Sequence, residues 1–427
     1  MIIQKQKQIN YWACLFGLFA IVSFILGFYL NEIPAGSGGL NGDINYVKKS
    51  LNIFNNNDLD IAINLFRESS NRTPLIYTLQ KLLNPFFSNI DHYRITVFII
   101  SIISPVFLYL AFKLKFNNLD KNLLFILTSI IFLNPFFRNS AFWGLEENYA
   151  YLTFFLSLIF FEKIKSSASS TKSIDLIMLA FFSSLCIYFD QKFLVVPLYF
   201  FLNLIFSKLS NNSKIIFFIS YCIFAIPFLY LIYLWRNIFP TNIYKIEFHF
   251  NHLIYAASII SFYILPLIFF TKNVSKENFK KCFLNINYLT FIIFLNFYIL
   301  YIFNFTDNSF ITNLNDGGGI IKKITHILFD DLIYKKTVIY ITFLISCSLI
   351  YYFIDFKLNN LLIILYFFLI AFFAKPYYQE YFDPLLMIVY FFLFNKEFLI
   401  KFKFIIFFYF YMLIYLICSI FYYNILN

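Results

Sequence analysis

Apolar runs of about 17 to 22 residues, the length that carries a helix across a ~30 Å hydrocarbon layer, recur from one end of this chain to the other. Backbone groups inside such a layer must be satisfied within the chain, which confines a sequence of this kind to bundled spanning helices. Spans are read near 11–30, 93–112, 122–136, 147–161, 174–189, 193–207, 215–234, 253–271, 285–304, 337–354, 359–374, 382–394 and 404–422, about 13 in all and some of them shorter than these runs. With 61% hydrophobic and only 13% charged residues over 427 positions, no sizeable soluble domain can be cut out. The expected fold class is all-α, a polytopic membrane protein with a single integral domain over 1–427.

Basic residues orient the bundle. With the N-terminus cytoplasmic, 18 of the 33 Lys and Arg residues fall on the cytoplasmic side, against nine on the opposite side once the long first outer loop and its edge are set apart. The first apolar run follows Lys5 and Lys7 and reads as a retained signal anchor. Topology therefore accounts for the net charge of +11, since the basic residues form no single stripe of the kind that binds nucleic acid. The six cysteines stand singly and read as packing residues.

Two loops on the expected outer side are long, 31–91 and 305–336. In the first, Ile44, Val47, Leu51 and Phe54, then Leu59, Ile63 and Phe66, then Leu75, Leu79, Leu82 and Phe86 recur at three- and four-residue spacing. That spacing predicts amphipathic helices lying along the membrane surface. The second holds Gly317, Gly318 and Gly319 and reads as a cover over a site or as a plain connector.

Charged groups collect at the outer ends of different spans: Asp43, Arg94, Arg138, Glu146, Glu147, Asp190, Lys192, Lys375, Glu380 and Asp383. Ionisable groups at the membrane boundary are costly unless paired or hydrated, which makes them functional candidates. Carboxylates there can act as a general base or hold a divalent metal, and nearby cations can neutralise a phosphate leaving group. The plainer alternatives are helix capping by Asp43, Glu146 and Glu147, a snorkelling Lys192, and an aromatic belt over KPYYQEYFDP. His249 and His252 are the one close histidine pair and lack a third ligand nearby. No cofactor is implied with certainty.

GGLNGDINYVKKSL followed by NRTPLIY resembles the first extracytoplasmic loop of the GT-C superfamily of integral-membrane glycosyltransferases, which use lipid-phosphate sugars. Arg94, RNSAFWGLEEN, DQKFLVVP and YYQEYFDPLLMIV resemble later landmarks of that superfamily in the same order. The resemblance implies a sugar donor on polyprenyl phosphate or diphosphate, a lipid or glycan acceptor, and an extracytoplasmic site in a bacterial inner membrane. It implies Asp43 as base with Glu146 or Glu147 as a second acid. Tyr46, Arg72, Arg94, Arg138, Lys192, Lys375, Tyr378 and Glu380 become substrate-binding candidates, with Lys192 or Arg138 on the donor phosphate.

The span count resembles the aminoarabinose-transferase branch, alongside mannosyltransferase-like relatives. The chain departs from the pattern in its single Asp43, in Thr73-Pro74-Leu75, and in Gln379-Glu380-Tyr381 where an Arg-Tyr pair is common, a place Lys375 can fill. Two other functions fit the same composition: an O-antigen or polysaccharide polymerase, and a lipid-linked sugar flippase or transporter. Paired repeats and broken mid-membrane helices, the usual signs of a transporter, are not evident.

Overall fold

A computed structural model describes residues 2–35, 39, 42–70, 72–166, 172–207, 209–236, 248–266, 284–305, 309–313, 317–353, 358–373, 378–382 and 401–426. Among these the regular structure is helical, without a strand. The chain divides into two compact units, one of residues 1–244 with 405–427 and the other of residues 245–404.

In the first unit, α1 (Ile2–Tyr29) is followed by α2 (Asp43–Asn56), α3 (Leu59–Ser69) and α4 (Leu75–Leu83), which form the first long loop. After them come α5 (Ile90–Lys115), α6 (Lys121–Ser129), a 3₁₀ turn (Ile130–Leu133), α7 (Pro135–Trp143) and α8 (Glu147–Ser166). The unit continues with α9 (Ser173–Phe189), a 3₁₀ turn (Gln191–Leu194), α10 (Val195–Ile205), α11 (Asn211–Phe224) and α12 (Ile226–Trp235). Helix α8 packs against α5 and α9, and α1 packs against α6.

In the second unit, α13 (His252–Ile264), α14 (Ile286–Phe305), α15 (Ser309–Thr312), α16 (Gly319–Leu328), α17 (Leu332–Phe353) and α18 (Leu358–Phe373) follow one another. Helix α13 packs against α16, α17 and α18. The last long helix, α19 (Phe402–Phe421), lies mostly in the first unit, where Tyr409 and Ser419 donate hydrogen bonds to the Phe16 and Pro34 carbonyls at 3.0 and 2.6 Å.

Among the described residues, six helical stretches are long and apolar enough to cross a membrane: Tyr11–Tyr29, Ile90–Lys115, Asn211–Trp235, Ile286–Asn304, Leu332–Phe353 and Phe402–Asn424. These long apolar helices make the chain an integral membrane protein. Of the other expected spans, 122–136 coincides with a broken pair, Lys121–Leu133 and Pro135–Trp143, bent by 66°. The runs near 174–189, 193–207, 253–271 and 359–374 contain shorter apolar helices, and 147–161 belongs to α8. The run at 382–394 lies, apart from Phe382, outside the described residues.

The break before α7 has a local cause. Pro135 has no N–H to donate to the preceding turn, and the extended Asn134 caps α7 by accepting from the Phe136 and Phe137 N–H groups at 3.0 and 3.2 Å. The chain thus bends by 66° just before the polar residues of α7.

The first loop is helical as its spacing predicts, but its faces differ. Helix α2 buries the expected Ile44, Val47, Leu51 and Phe54 inside the protein. Helix α4 buries Ile76, Tyr77 and Gln80 instead, leaving Leu82 and Phe86 of the expected stripe exposed. Tyr77 explains the rotation: its ring packs with those of Phe54, Phe66 and Tyr93 at 5.4 to 6.0 Å, which turns the aliphatic face outward. Within 305–336 the described residues include α15, α16 and the start of α17. Gly317, Gly318 and Gly319, with φ of 82°, 108° and 75°, take the left-handed backbone that leads into α16.

Candidate functional site

The turn between α7 and α8 sets the position of the paired acids. Gly144 ends α7 at φ 77°, and a Cβ there would meet the Tyr93 ring at 3.1 Å. Leu145 and Glu146 complete the turn, and Glu147 opens α8. Just inside α8, Asn148 donates to Ser101 Oγ at 2.6 Å and to the Phe137 carbonyl at 3.1 Å, tying the turn to α5 and α7.

Arg72 connects the two acids. Its Nη1 lies 2.9 Å from Glu146 Oε1 and 3.4 Å from Glu147 Oε1. About a third of the Arg72 side chain is exposed (31%), while Glu146 is completely buried. Ser70 steadies the segment by accepting from the Arg72 N–H at 3.0 Å, and it pairs with the Tyr46 hydroxyl at 2.9 Å. Tyr46 also donates to Glu146 Oε1 at 3.4 Å, and the Arg72 guanidinium lies over its ring at 5.3 Å. Glu147 is held from the other side: Ser140 donates to its Oε2 at 2.7 Å, and Lys192 Nζ lies 3.5 Å from its Oε1. Lys192 also pairs with Asp190 at 3.1 Å, and Asp190 caps its own turn by accepting the Lys192 N–H.

Asp43 is the first residue of α2, after Gly42 at the N-cap. Its Oδ2 accepts from Asn139 Nδ2 at 2.9 Å, a buried contact between α2 and α7.

Burial dominates the electrostatics. It pushes the Asp43 carboxyl up to about 6, with the Asn139 hydrogen bond opposing and Glu147 adding to the rise. Burial likewise pushes Glu146 up to about 7, against the attraction of Arg72 and with the repulsion of Glu147. The Tyr46 hydroxyl is driven up by burial and by Glu146, which leaves it a neutral donor. Arg72 stays charged beside its two acids.

Asp43, Tyr46, Arg72, Glu146, Glu147 and Lys192 are therefore gathered into one cluster. Two other expected residues are committed elsewhere. Arg138 is 1% exposed and closes on Glu32, with further bonds to the Ser23 and Phe132 carbonyls at 2.9 and 3.1 Å. Arg94 donates to the Phe142 carbonyl at 2.7 Å and to Asn31 at 3.0 Å, and stacks over Trp143 at 4.7 Å. Both guanidiniums brace the frame around the acids, with their donors spent on protein oxygens.

Lys375 and Asp383 lie outside the described residues. Tyr378 and Glu380 belong to the second unit, where Tyr378 stacks edge-on with Tyr381 at 6.1 Å and Glu380 acts electrostatically on Lys323. The His249 and His252 rings stack at 4.6 Å. Among the described residues, no group of three or more His, Cys, Asp or Glu side chains is arranged to hold a metal ion.

Sequence reasoning did not single out Glu32, Ser70, Asn139 or Ser140. Their signal is faint: a polar Arg-Asn-Ser run inside an apolar stretch, and small hydroxyl residues that occur throughout the chain. No family model matches the chain, and neither does a curated protein or a solved structure.

Proposed function

We propose that this protein is a GT-C-like membrane glycosyltransferase that moves a sugar from a polyprenyl-phosphate or diphosphate donor to a hydroxyl acceptor outside the cytoplasm. The supporting observation is the Arg72 guanidinium held between two buried carboxylates, one of them also paired with Lys192, beside the buried Asp43. A carboxyl near 6 suits a base working close to neutrality. In the step envisaged, the acceptor oxygen bonds to the anomeric carbon and its proton passes to Asp43. The bond from that carbon to the phosphate oxygen breaks, and its electron pair leaves with the phosphate.

Arg72 and Lys192 are the cations placed to receive that charge by exchanging a carboxylate partner for phosphate oxygens. The finer topology belongs to the same reading: about 13 spans, the cytoplasmic N-terminus, and residence in a bacterial inner membrane. Purified protein supplied with a radiolabelled polyprenyl-phosphate sugar and lipid or glycan acceptors provides the test. Transfer that disappears in Asp43→Asn supports the reading, and transfer that persists unchanged in that variant overturns it. Labelled lipid that crosses vesicles without chemical change points to a flippase instead.

A further inference from the structure

Three consecutive residues of α7 reach three acids on three different segments. Arg138 holds Glu32, which follows α1, through Nε at 2.8 Å and Nη2 at 2.6 Å. Asn139 donates to Asp43 at the start of α2 at 2.9 Å, and Ser140 donates to Glu147 at the start of α8 at 2.7 Å. All three donors are at most 5% exposed. Neighbouring side chains on a helix point about 100° apart, and α7 can serve three directions because α1, α2, α5 and α8 all pack against it.

Glu146 is treated differently. Its Oε1 receives Arg72 and Tyr46, but its Oε2 is fully buried and meets no hydrogen-bond donor. An ionised carboxylate can only accept, so leaving one of its oxygens buried without a donor is costly and favours the protonated form. We propose that α7 is the positioning element of the site: Asn139 and Ser140 hold Asp43 and Glu147 as carboxylates and leave Glu146 as the acid that carries the exchangeable proton.

The surroundings agree with this division. Asp43 is faced by Asn139 from α7, Glu147 from α8, Arg72 from the segment before α4, and the Gly39 backbone. Glu146 is faced by Arg72, by Glu147, by Tyr46 of α2, by Tyr77 of α4 and by Tyr93 of α5. Lys192 and Asp190 stand on the Glu147 side. Beside Asp43 and Glu147, Glu146 is the acid without a donor from α7, and burial raises its proton affinity. The proposal rests on the glycosyl-transfer reading only for its catalytic consequence, because the placement of the proton is a property of the free protein.

Infrared difference titration of the full chain in lipid nanodiscs, from about pH 4 to pH 9, reads protonated carboxyl groups directly. Each band is assigned by its loss in Asp43→Asn, Glu146→Gln or Glu147→Gln. The protonated band that persists near neutrality is expected to vanish in Glu146→Gln and to remain in Glu147→Gln. Asn139→Ala and Asn139→Leu differ in volume but both lack the donor, and both are expected to raise the Asp43 midpoint by about one pH unit. A neutral-pH proton that disappears in Glu147→Gln overturns the assignment, as does an Asp43 midpoint unmoved by either Asn139 variant. Should the Asn139 variants fail to fold, the Glu146→Gln and Glu147→Gln comparison still decides it. Loss of the transferase reading would leave these midpoints unchanged, which separates the two failures.

Discussion

Arg138 grips both carboxylate oxygens of Glu32, with Nε at 2.8 Å and Nη2 at 2.6 Å. The pair joins the chain just past α1 to the middle of α7, and a Cβ on Gly27 would lie 2.4 Å from the guanidinium. Removing one partner strands the other as a buried charge. Glu32→Ala or Arg138→Met is therefore expected to cost about 3–5 kcal/mol. Thermal unfolding in a fixed detergent would show this as a large drop in Tm, and an unchanged Tm would contradict it.

Asp43 trades stability for its position. Its carboxyl ordinarily titrates at 3.8 and is raised to about 6 in the folded chain, so the fold binds this proton more tightly than the unfolded chain does. The associated stability is fully present below about pH 4 and is lost as pH rises through about 6. Asp43→Asn keeps the shape without the charge and is expected to stabilise the protein by roughly 1–3 kcal/mol at pH 7.5, with little effect near pH 4. Melting curves at both pH values, alongside the transfer assay, would show a more stable and inactive variant.

On the proposed mechanism, transfer by the wild type is expected to fall as pH drops below about 6, because a protonated Asp43 cannot accept the acceptor's proton. The limb should be first order in protons. A rate that stays flat from pH 7.5 to pH 5 would remove Asp43 from the base role.

Arg72→Met leaves Glu146 and Glu147 side by side without their shared cation. Transfer is expected to fall by about 10²- to 10³-fold. Stability should decline as pH rises from 5 to 8, since the unshielded pair resists losing its last proton. A variant with normal turnover and a flat stability profile would show that the bridge matters to neither.

Gly144→Ala places a side chain at φ 77° and 3.1 Å from the Tyr93 ring. The left-handed backbone alone costs about 1–2 kcal/mol. Relief of that strain would shift the following turn and both acids, so kcat is expected to fall by about 10- to 100-fold with a modest change in Tm. Unaltered kinetics would show that the turn does not set the position of the acids.

Much of this arrangement is legible in the residues because membranes make their demands locally. A long apolar run announces a helix by itself, and charges at a common membrane level announce their neighbours, as Asp43, Glu146, Glu147 and Lys192 do. Choice of partner is harder to foresee. Arg138 and Arg72 are both cations close to acidic candidates, yet Arg138, on α7 after the backbone break at Asn134-Pro135, pairs with Glu32, while Arg72, between α3 and α4, reaches Glu146. Asn139 and Ser140 carry no charge and follow no spacing rule, so their hydrogen bonds become visible only once α2 and α8 are packed beside α7. The stripe on α4 misled for a related reason: next to lipid, an aliphatic face can point outward while tyrosine takes the protein side.

The 66° bend before α7 gives this short helix a single point of vulnerability. Inserting or deleting one residue between Pro135 and Arg138 would turn all three donors by about 100° together. Glu32, Asp43 and Glu147 would lose their partners in the same event. Change in this segment must therefore come by substitution at constant length, and a length variant should behave as a simultaneous loss of the anchor and of the proposed base and second acid.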